Sequence, residues 1–251
     1  MVLLLFVDLD PHLPALNALG GFFVLRTAVA PGPPPPAAGR RRKIGSWDVY
    51  GDLMIFRVDT VAARLGTPEV RVAASIAQQG FAARLWSVAL GCAALYGAVP
   101  DLGPALLRWD PAAAAPDDLL LTEVRPGPGD APALADAVLH TYLEPLAALL
   151  HDRCGVATGL LRGNAGSALA GAARELARRA PAIGRPDAVP RAAALAGELL
   201  AHPLLAPTGV RTATGFRRRS CCLYYRVPGG GLCGDCCFVR PPRSSPRAAS
   251  G

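Results

Sequence analysis

The sequence predicts a mainly α-helical fold with a small antiparallel β component (α+β), ending in a cysteine-rich C-terminal module. Three observations favour this class. The chain has 251 residues with 51% apolar side chains, which is enough for one sizeable core. Long segments without proline are rich in Ala, Leu and Val at helical spacing. Five of the seven cysteines lie within residues 221–237.

The strongest helical signal covers residues 69–97, which contain no proline and are apolar on nearly all sides. This pattern predicts one or two central, buried helices. Three further helices are predicted, over residues 130–153, 163–179 and 189–201. The short apolar runs 106–109 and 119–124 are expected to pair as a hairpin with a long loop. Residues 203–216 are predicted to be a loop.

Composition divides the chain into four predicted parts. They are an N-terminal segment with a Pro-rich linker (1–43), a mainly helical body (44–215), a cysteine module (216–238) and a disordered tail (239–251). Residues 201–251 hold eight arginines and one aspartate, so they carry the whole net charge of +7. The rest of the chain is neutral, which excludes a generally basic surface.

The sequence predicts a cytoplasmic protein; association with the inner face of the membrane is also compatible with it. The apolar start MVLLLFVDLD lacks a basic n-region and a small-residue cleavage site, so no signal peptide is predicted. No apolar run reaches about 18 residues, so no transmembrane segment is predicted. The odd number of cysteines fits poorly with a fully disulfide-paired secreted protein.

The cysteines follow the spacing C-C-x10-C-x2-C, formed by Cys221, Cys222, Cys233 and Cys236. A C-x2-C pair places two thiolates on one tight turn, and crowded cysteines in a reducing compartment usually bind metal. Four thiolates suit either zinc or an iron–sulfur cluster. The vicinal pair Cys221-Cys222 departs from the usual zinc spacing. Cys237 is a fifth candidate that could replace Cys236.

The run RRSCCLYYRVPGGGLCGDCCF closely resembles the C-terminal signature of the FhuF-type ferric siderophore reductases. Residues 82–87 (AARLWS) and 162–171 (RGNAGSALAG) resemble the helical body of the same family. The resemblance covers about residues 60–238, and the first forty residues match poorly. It implies a [2Fe–2S] cluster that passes one electron to siderophore-bound Fe³⁺. The ligands it implies are Cys221, Cys222, Cys233 and Cys236.

Four arginines flank the cysteines and are expected to favour the extra negative charge of a reduced cluster, or to attract an anionic siderophore or an acidic donor protein. They are Arg217, Arg218, Arg219 and Arg226. Arg84 and Trp86 are candidates for lining a siderophore cleft, although core packing also explains Trp86.

The expected partners are a ferric siderophore and an external electron donor such as a ferredoxin or a flavin reductase. The chain has no phosphate-binding loop and no full dinucleotide fingerprint of its own. Two other functions stay open at this point. One is a zinc-stabilised interaction module whose basic end touches nucleic acid, although no groove-reading helix is evident. The other is a siderophore-synthetase-related protein without reductase activity.

Overall fold

The computed structural model of the chain describes residues 9, 13–28, 42–43, 47–113, 119–212 and 215–242. The Pro-rich linker predicted at 31–39 and residues 243–251 of the predicted tail lie outside these ranges. The architecture is α+β, as predicted: helices form most of the described chain, and three small sheets accompany them.

Helix α3 is the centre of the fold. The α-helices in the described ranges are α1 (Pro14–Leu19), α2 (Trp47–Leu65), α3 (Val70–Tyr96), α4 (Ala131–Leu134), α5 (Glu144–Cys154), α6 (Thr158–Arg179) and α7 (Ala188–Leu200). Helix α3 packs against α2, α6 and α7, so it is enclosed on most sides. It ends at Gly97, whose φ of 73° is left-handed and suits glycine. The prediction of a central buried helix is confirmed.

The predicted helix over 130–153 is also present, with an irregularity in its middle. Asp130 accepts a hydrogen bond from the backbone N–H of Ala133 (2.9 Å) and caps its start. Between α4 and α5 the turns widen into a π-helix, Ala135–Leu143. Pro145 cannot donate a hydrogen bond to the preceding turn, and the wider turns just before it let the helix continue.

Short strands form three sheets at the edges of the helical body. The strands are β1 (Arg26–Thr27), β2 (Arg42–Lys43), β3 (Ala98–Pro100), β4 (Leu107–Trp109), β5 (Leu119–Leu121), β6 (Pro126–Pro128), β7 (Gly209–Thr212) and β8 (Gly215–Arg218). Strands β4 and β5 pair antiparallel with Trp109 opposite Leu119, which confirms the predicted hairpin. Strand β2 pairs antiparallel with β4, and β1 adds a parallel pair to β5. Strands β3 and β6 form a separate antiparallel pair.

The loop predicted over residues 203–216 is wrong, because β7 and β8 form an antiparallel hairpin there. Strand β7 has no buried residue, so its sequence carries no alternation of apolar and polar side chains. Strand β8 lies against α6 and leads directly into the cysteine module. The hairpin therefore joins that module to the helical body.

One helix of the described chain, Ala131–Cys154, is long and apolar enough to cross a membrane by length and composition. Half of its most apolar window, 50%, is buried inside the protein. A core helix of a water-soluble protein passes the same test, so the feature is weak evidence for a membrane span.

Candidate metal centre

The cysteine module is an irregular segment that follows β8 and lies against α3 and α6. All five of its cysteines are free thiols, and Cys222 is buried while the other four are partly buried. One 3-10 turn, Tyr224–Arg226, contacts α3. The described residues of the module thus contain little regular structure, and its shape depends on contacts with the helices behind it.

The thiols lie close enough to affect one another. The Cys233 thiol donates a hydrogen bond to the Cys222 sulfur, which lowers the pKa of Cys222 to about 7 in spite of its burial and raises the pKa of Cys233. Burial raises the pKa of Cys221, and the nearby Cys237 and Cys236 raise it further. The structure therefore gathers all five sulfur atoms into one electrostatic cluster.

Backbone N–H groups point at the sulfur atoms in a regular pattern. In each case the donor is two residues further along the chain: Leu223 for Cys221 (3.2 Å), Tyr224 for Cys222, Asp235 for Cys233 and Phe238 for Cys236 (3.4 Å). Such bonds stabilise thiolates and tune the potentials of iron–sulfur clusters. Cys237 departs from the pattern, because the backbone N–H beside its sulfur is its own.

Arg218 supplies a buried positive charge beside this group of thiols. Its side chain is buried, with 2% of the residue exposed, and it donates a hydrogen bond to the Asn164 side chain (2.5 Å). Its Nε and Nη1 atoms have no hydrogen-bond partner among the described residues. Burial raises the pKa values of Cys221, Cys222 and Cys233, and backbone hydrogen bonds to their sulfur atoms lower them. The positive charge of Arg218 also lowers these pKa values and so favours the thiolate forms. A buried guanidinium with two unused donors is a place where an anionic group would be stabilised.

The side chains of the three other candidate arginines have other partners. Arg226 forms an ion pair with Glu69, the residue before α3 (2.9 Å). Arg217 and Arg219 are exposed and donate to the backbone oxygens of Cys237 (3.2 Å) and Pro207 (3.4 Å). Of the four arginines, the structure brings Arg218 into the described thiol cluster.

Arg84 and Trp86 lie inside α3 and are buried, with 1% and 0% of each residue exposed. Arg84 donates hydrogen bonds to the backbone oxygens of Phe22 and Val24, so it ties the N-terminal segment to the core. The structure does not place either side chain on the surface of a cleft. In the structure, Arg84 and Trp86 are therefore part of the packed core around α3.

Asn164 is a site residue that the sequence analysis missed. Its amide donates to the backbone oxygen (2.9 Å) and hydroxyl (3.1 Å) of Ser75, and its own oxygen accepts from Arg218. The Ser75 hydroxyl in turn donates to the backbone oxygen of Cys222 (2.8 Å). Next to Asn164, a Cβ on Gly163 would meet the Ser220 hydroxyl at 2.4 Å, which explains the glycine. The small-residue run 162–171 is therefore where the cysteine module contacts α6.

Asp235 holds the second cysteine pair against the same helix. Its buried carboxylate accepts a hydrogen bond from Ser167 (2.6 Å) and forms an ion pair with Arg174 (3.0 Å). Its backbone oxygen accepts from the backbone N–H of Arg218 (3.0 Å). These contacts fix the C-x2-C turn relative to β8 and α6.

The donor set fits an iron–sulfur cluster. A structural zinc site would take the same four thiolates around a single ion. A [2Fe–2S] cluster instead spreads four thiolates over two iron atoms, and N–H donors and a buried cation stabilise its negative charge.

We expect Asn164→Ala to lower the free energy of unfolding by about 2–4 kcal/mol, because it leaves Ser75 and the Arg218 guanidinium buried without their partner. Urea denaturation followed by circular dichroism measures the change. The control is Arg178→Ala, an exposed residue on the same helix, for which a much smaller effect is expected. Equal losses in the two variants would contradict a supporting role for Asn164.

The cysteine module is similar to a known family. Residues 218–238 match a family model described as the FhuF 2Fe-2S C-terminal domain. The match begins at Arg218 and includes all five clustered cysteines. None of the curated proteins compared with the chain matches it.

Proposed function

From the premise that residues 218–238 form a FhuF-type 2Fe-2S domain, we propose that the chain is a ferric siderophore reductase. The reaction is the one-electron reduction of siderophore-bound Fe³⁺ to Fe²⁺. The observation that carries the proposal is the buried Arg218 guanidinium, whose positive charge acts on the cysteine thiols around it. A buried cation beside the thiols stabilises the extra negative charge of a reduced cluster.

The ligands in this proposal are Cys221, Cys222, Cys233 and Cys236. The four share the backbone N–H pattern, and the loops that carry them are held by Ser75 and Asp235. When bound, the cluster supplies a one-electron carrier, which matches the single electron that Fe³⁺ accepts. Siderophore oxygen donors are hard ligands that hold Fe³⁺ far better than Fe²⁺, so reduction loosens the iron.

The electron comes from an external donor in this proposal, since the sequence holds no nucleotide-binding loop. The donor belongs to the ferredoxin or flavin reductase class. Arg217 and Arg219 give the outer face of the module exposed positive charge, which would attract an acidic donor protein. The seven free cysteines suit a reducing cytoplasm, where we place the protein.

We expect the purified chain to be red-brown and to contain about two iron atoms and two acid-labile sulfides. After anaerobic reduction with dithionite and removal of the excess, mixing with a ferric siderophore should release close to one Fe²⁺ per chain into a ferrous-specific chelator. The visible spectrum of the oxidised cluster should return at the same rate. A Cys222→Ser variant, which lacks one proposed ligand, is the control and should release none. Colourless protein containing one zinc ion would overturn the proposal and favour the zinc module.

A further inference from the structure

A cleft of about 480 Å³ opens beside the cysteine module. It is lined by α3, α6, the N-terminal turn at Gly21–Phe23 and the loop of Cys233, Gly234 and Asp235. This volume lies in the range of sites for small molecules, about 300–1,000 Å³. One proposed ligand of the cluster therefore forms part of the surface of a small-molecule-sized cleft.

The wall formed by the N-terminal turn is fixed in place. Arg84 donates to the backbone oxygens of Phe22 and Val24, and Arg179 donates to that of Leu19 (2.8 Å). Phe22 is 42% exposed and lies at the cleft. The cleft is thus built by side chains of the core and does not depend on a bound molecule for its shape.

The polar groups of the cleft are mostly engaged with one another. Arg174 is paired with Asp235, and Arg179 with Glu175 (2.9 Å). Gln79 also lines the cleft and is partly exposed. The cleft therefore offers an amide and apolar walls beside Cys233, whereas the exposed Arg217 and Arg219 are not among its lining residues.

We propose that this cleft is the binding site for the ferric chelate, and that the chelate lies against the Cys233–Asp235 loop. The inference rests on the proposed function and adds its binding site. A concave site of this size suits a chelate. A protein donor needs a wider face, and the exposed Arg217 and Arg219 lie outside the lining of this cleft. Iron and its electron source would then use different surfaces of the protein.

The test measures binding without electron transfer. Gallium(III) has the charge of Fe³⁺ and nearly its size, and it is not reduced to a divalent ion in water. The gallium complexes of a trihydroxamate, a tricatecholate and a citrate chelator are titrated into the cluster-loaded protein by calorimetry. Gly171→Phe fills the cleft, because a Cβ at Gly171 meets only the Arg174 side chain, at 3.8 Å. We expect at least one complex to bind the wild type and to bind Gly171→Phe at least tenfold more weakly.

One control and a second cleft variant accompany Gly171→Phe. Ala177→Phe adds the same ring at an exposed position of α6 outside this cleft and should bind as the wild type does. Ala83→Phe fills the opposite wall and should weaken binding as Gly171→Phe does. The electron paramagnetic resonance spectrum of the reduced cluster should be the same in all variants, which shows that the module is folded.

The outcomes separate the two proposals. If the wild type reduces a ferric chelate but Gly171→Phe and Ala83→Phe bind its gallium analogue unchanged, the cleft is not the site. The same conclusion follows if the wild type reduces a ferric chelate but binds no gallium complex. If the cluster-loaded wild type reduces none of the three ferric chelates, the proposed function itself fails.

Discussion

Replacing Cys236 by serine is expected to abolish cluster binding, whereas Cys237→Ser should leave the cluster in place. The two residues are neighbours, and the spacing of the motif does not distinguish them. The expectation rests on a difference in the structure: the Cys236 sulfur accepts a hydrogen bond from the backbone N–H of Phe238 (3.4 Å). Cys221, Cys222 and Cys233 accept the equivalent bond from the residue two positions further on. The Cys237 sulfur lacks this bond, and we expect that Cys237 does not bind the cluster.

The measurement is iron and acid-labile sulfide per chain, together with the visible spectrum. Cys236→Ser should fall from about two iron atoms to nearly none, and Cys237→Ser should match the wild type. Each variant is the control for the other, because both remove one thiol from the same turn. Loss of the cluster from Cys237→Ser, with Cys236→Ser unaffected, would show that the last ligand lies one residue further along.

Replacing Arg218 by glutamine should lower the midpoint potential of the cluster by about 60–120 mV, a 10- to 100-fold shift for a one-electron couple. Reduction adds a negative charge, and Arg218 is a buried cation whose Nε and Nη1 donors have no partner among the described residues. Removing its charge therefore costs the reduced state more than the oxidised state. Arg218→Lys keeps the charge and should recover part of the shift.

Redox titration monitored by visible absorption and electron paramagnetic resonance gives the potentials. The matched control is Arg217→Gln, the same substitution at the adjacent, exposed position, which solvent screens. Its potential should change by less than about 20 mV. Equal shifts in the two variants would mean that the net charge of the module sets the potential, and that the burial of Arg218 is irrelevant.

The sequence was informative where one chemical pattern decides the structure. The C-C-x10-C-x2-C spacing located the cysteine module, and the apolar run of residues 69–97 predicted the central helix. The sequence could not show which of the four arginines near the cysteines is buried beside the thiols. In β8, Phe216 and Arg218 face inward and Arg217 faces outward. This alternation can be assigned only once the segment is known to be a strand. Its partner β7 has no buried residue and gave no strand signal.

Asn164 shows a second limit of the sequence. A polar residue within a run of small residues is typical of a helix surface, and nothing local indicates its burial. Its role comes from Ser75 and Arg218, which are 89 and 54 positions away in the chain. The run RGNAGSALAG did carry a usable signal, because its small residues indicated close packing. The sequence did not show what packs there.

The contact between Ser75 and the backbone oxygen of Cys222 has a thermodynamic consequence. Ser75 belongs to α3, whose side chains fill the core, so the shape of the cluster loop and the integrity of the core share one equilibrium. A cofactor that binds only the folded chain stabilises all of it by mass action. Chains that fail to acquire a cluster would therefore unfold more often and be degraded sooner. The steady-state amount of the protein in a cell would then depend on the supply of iron and sulfide, because cluster binding sets how much of the chain is folded.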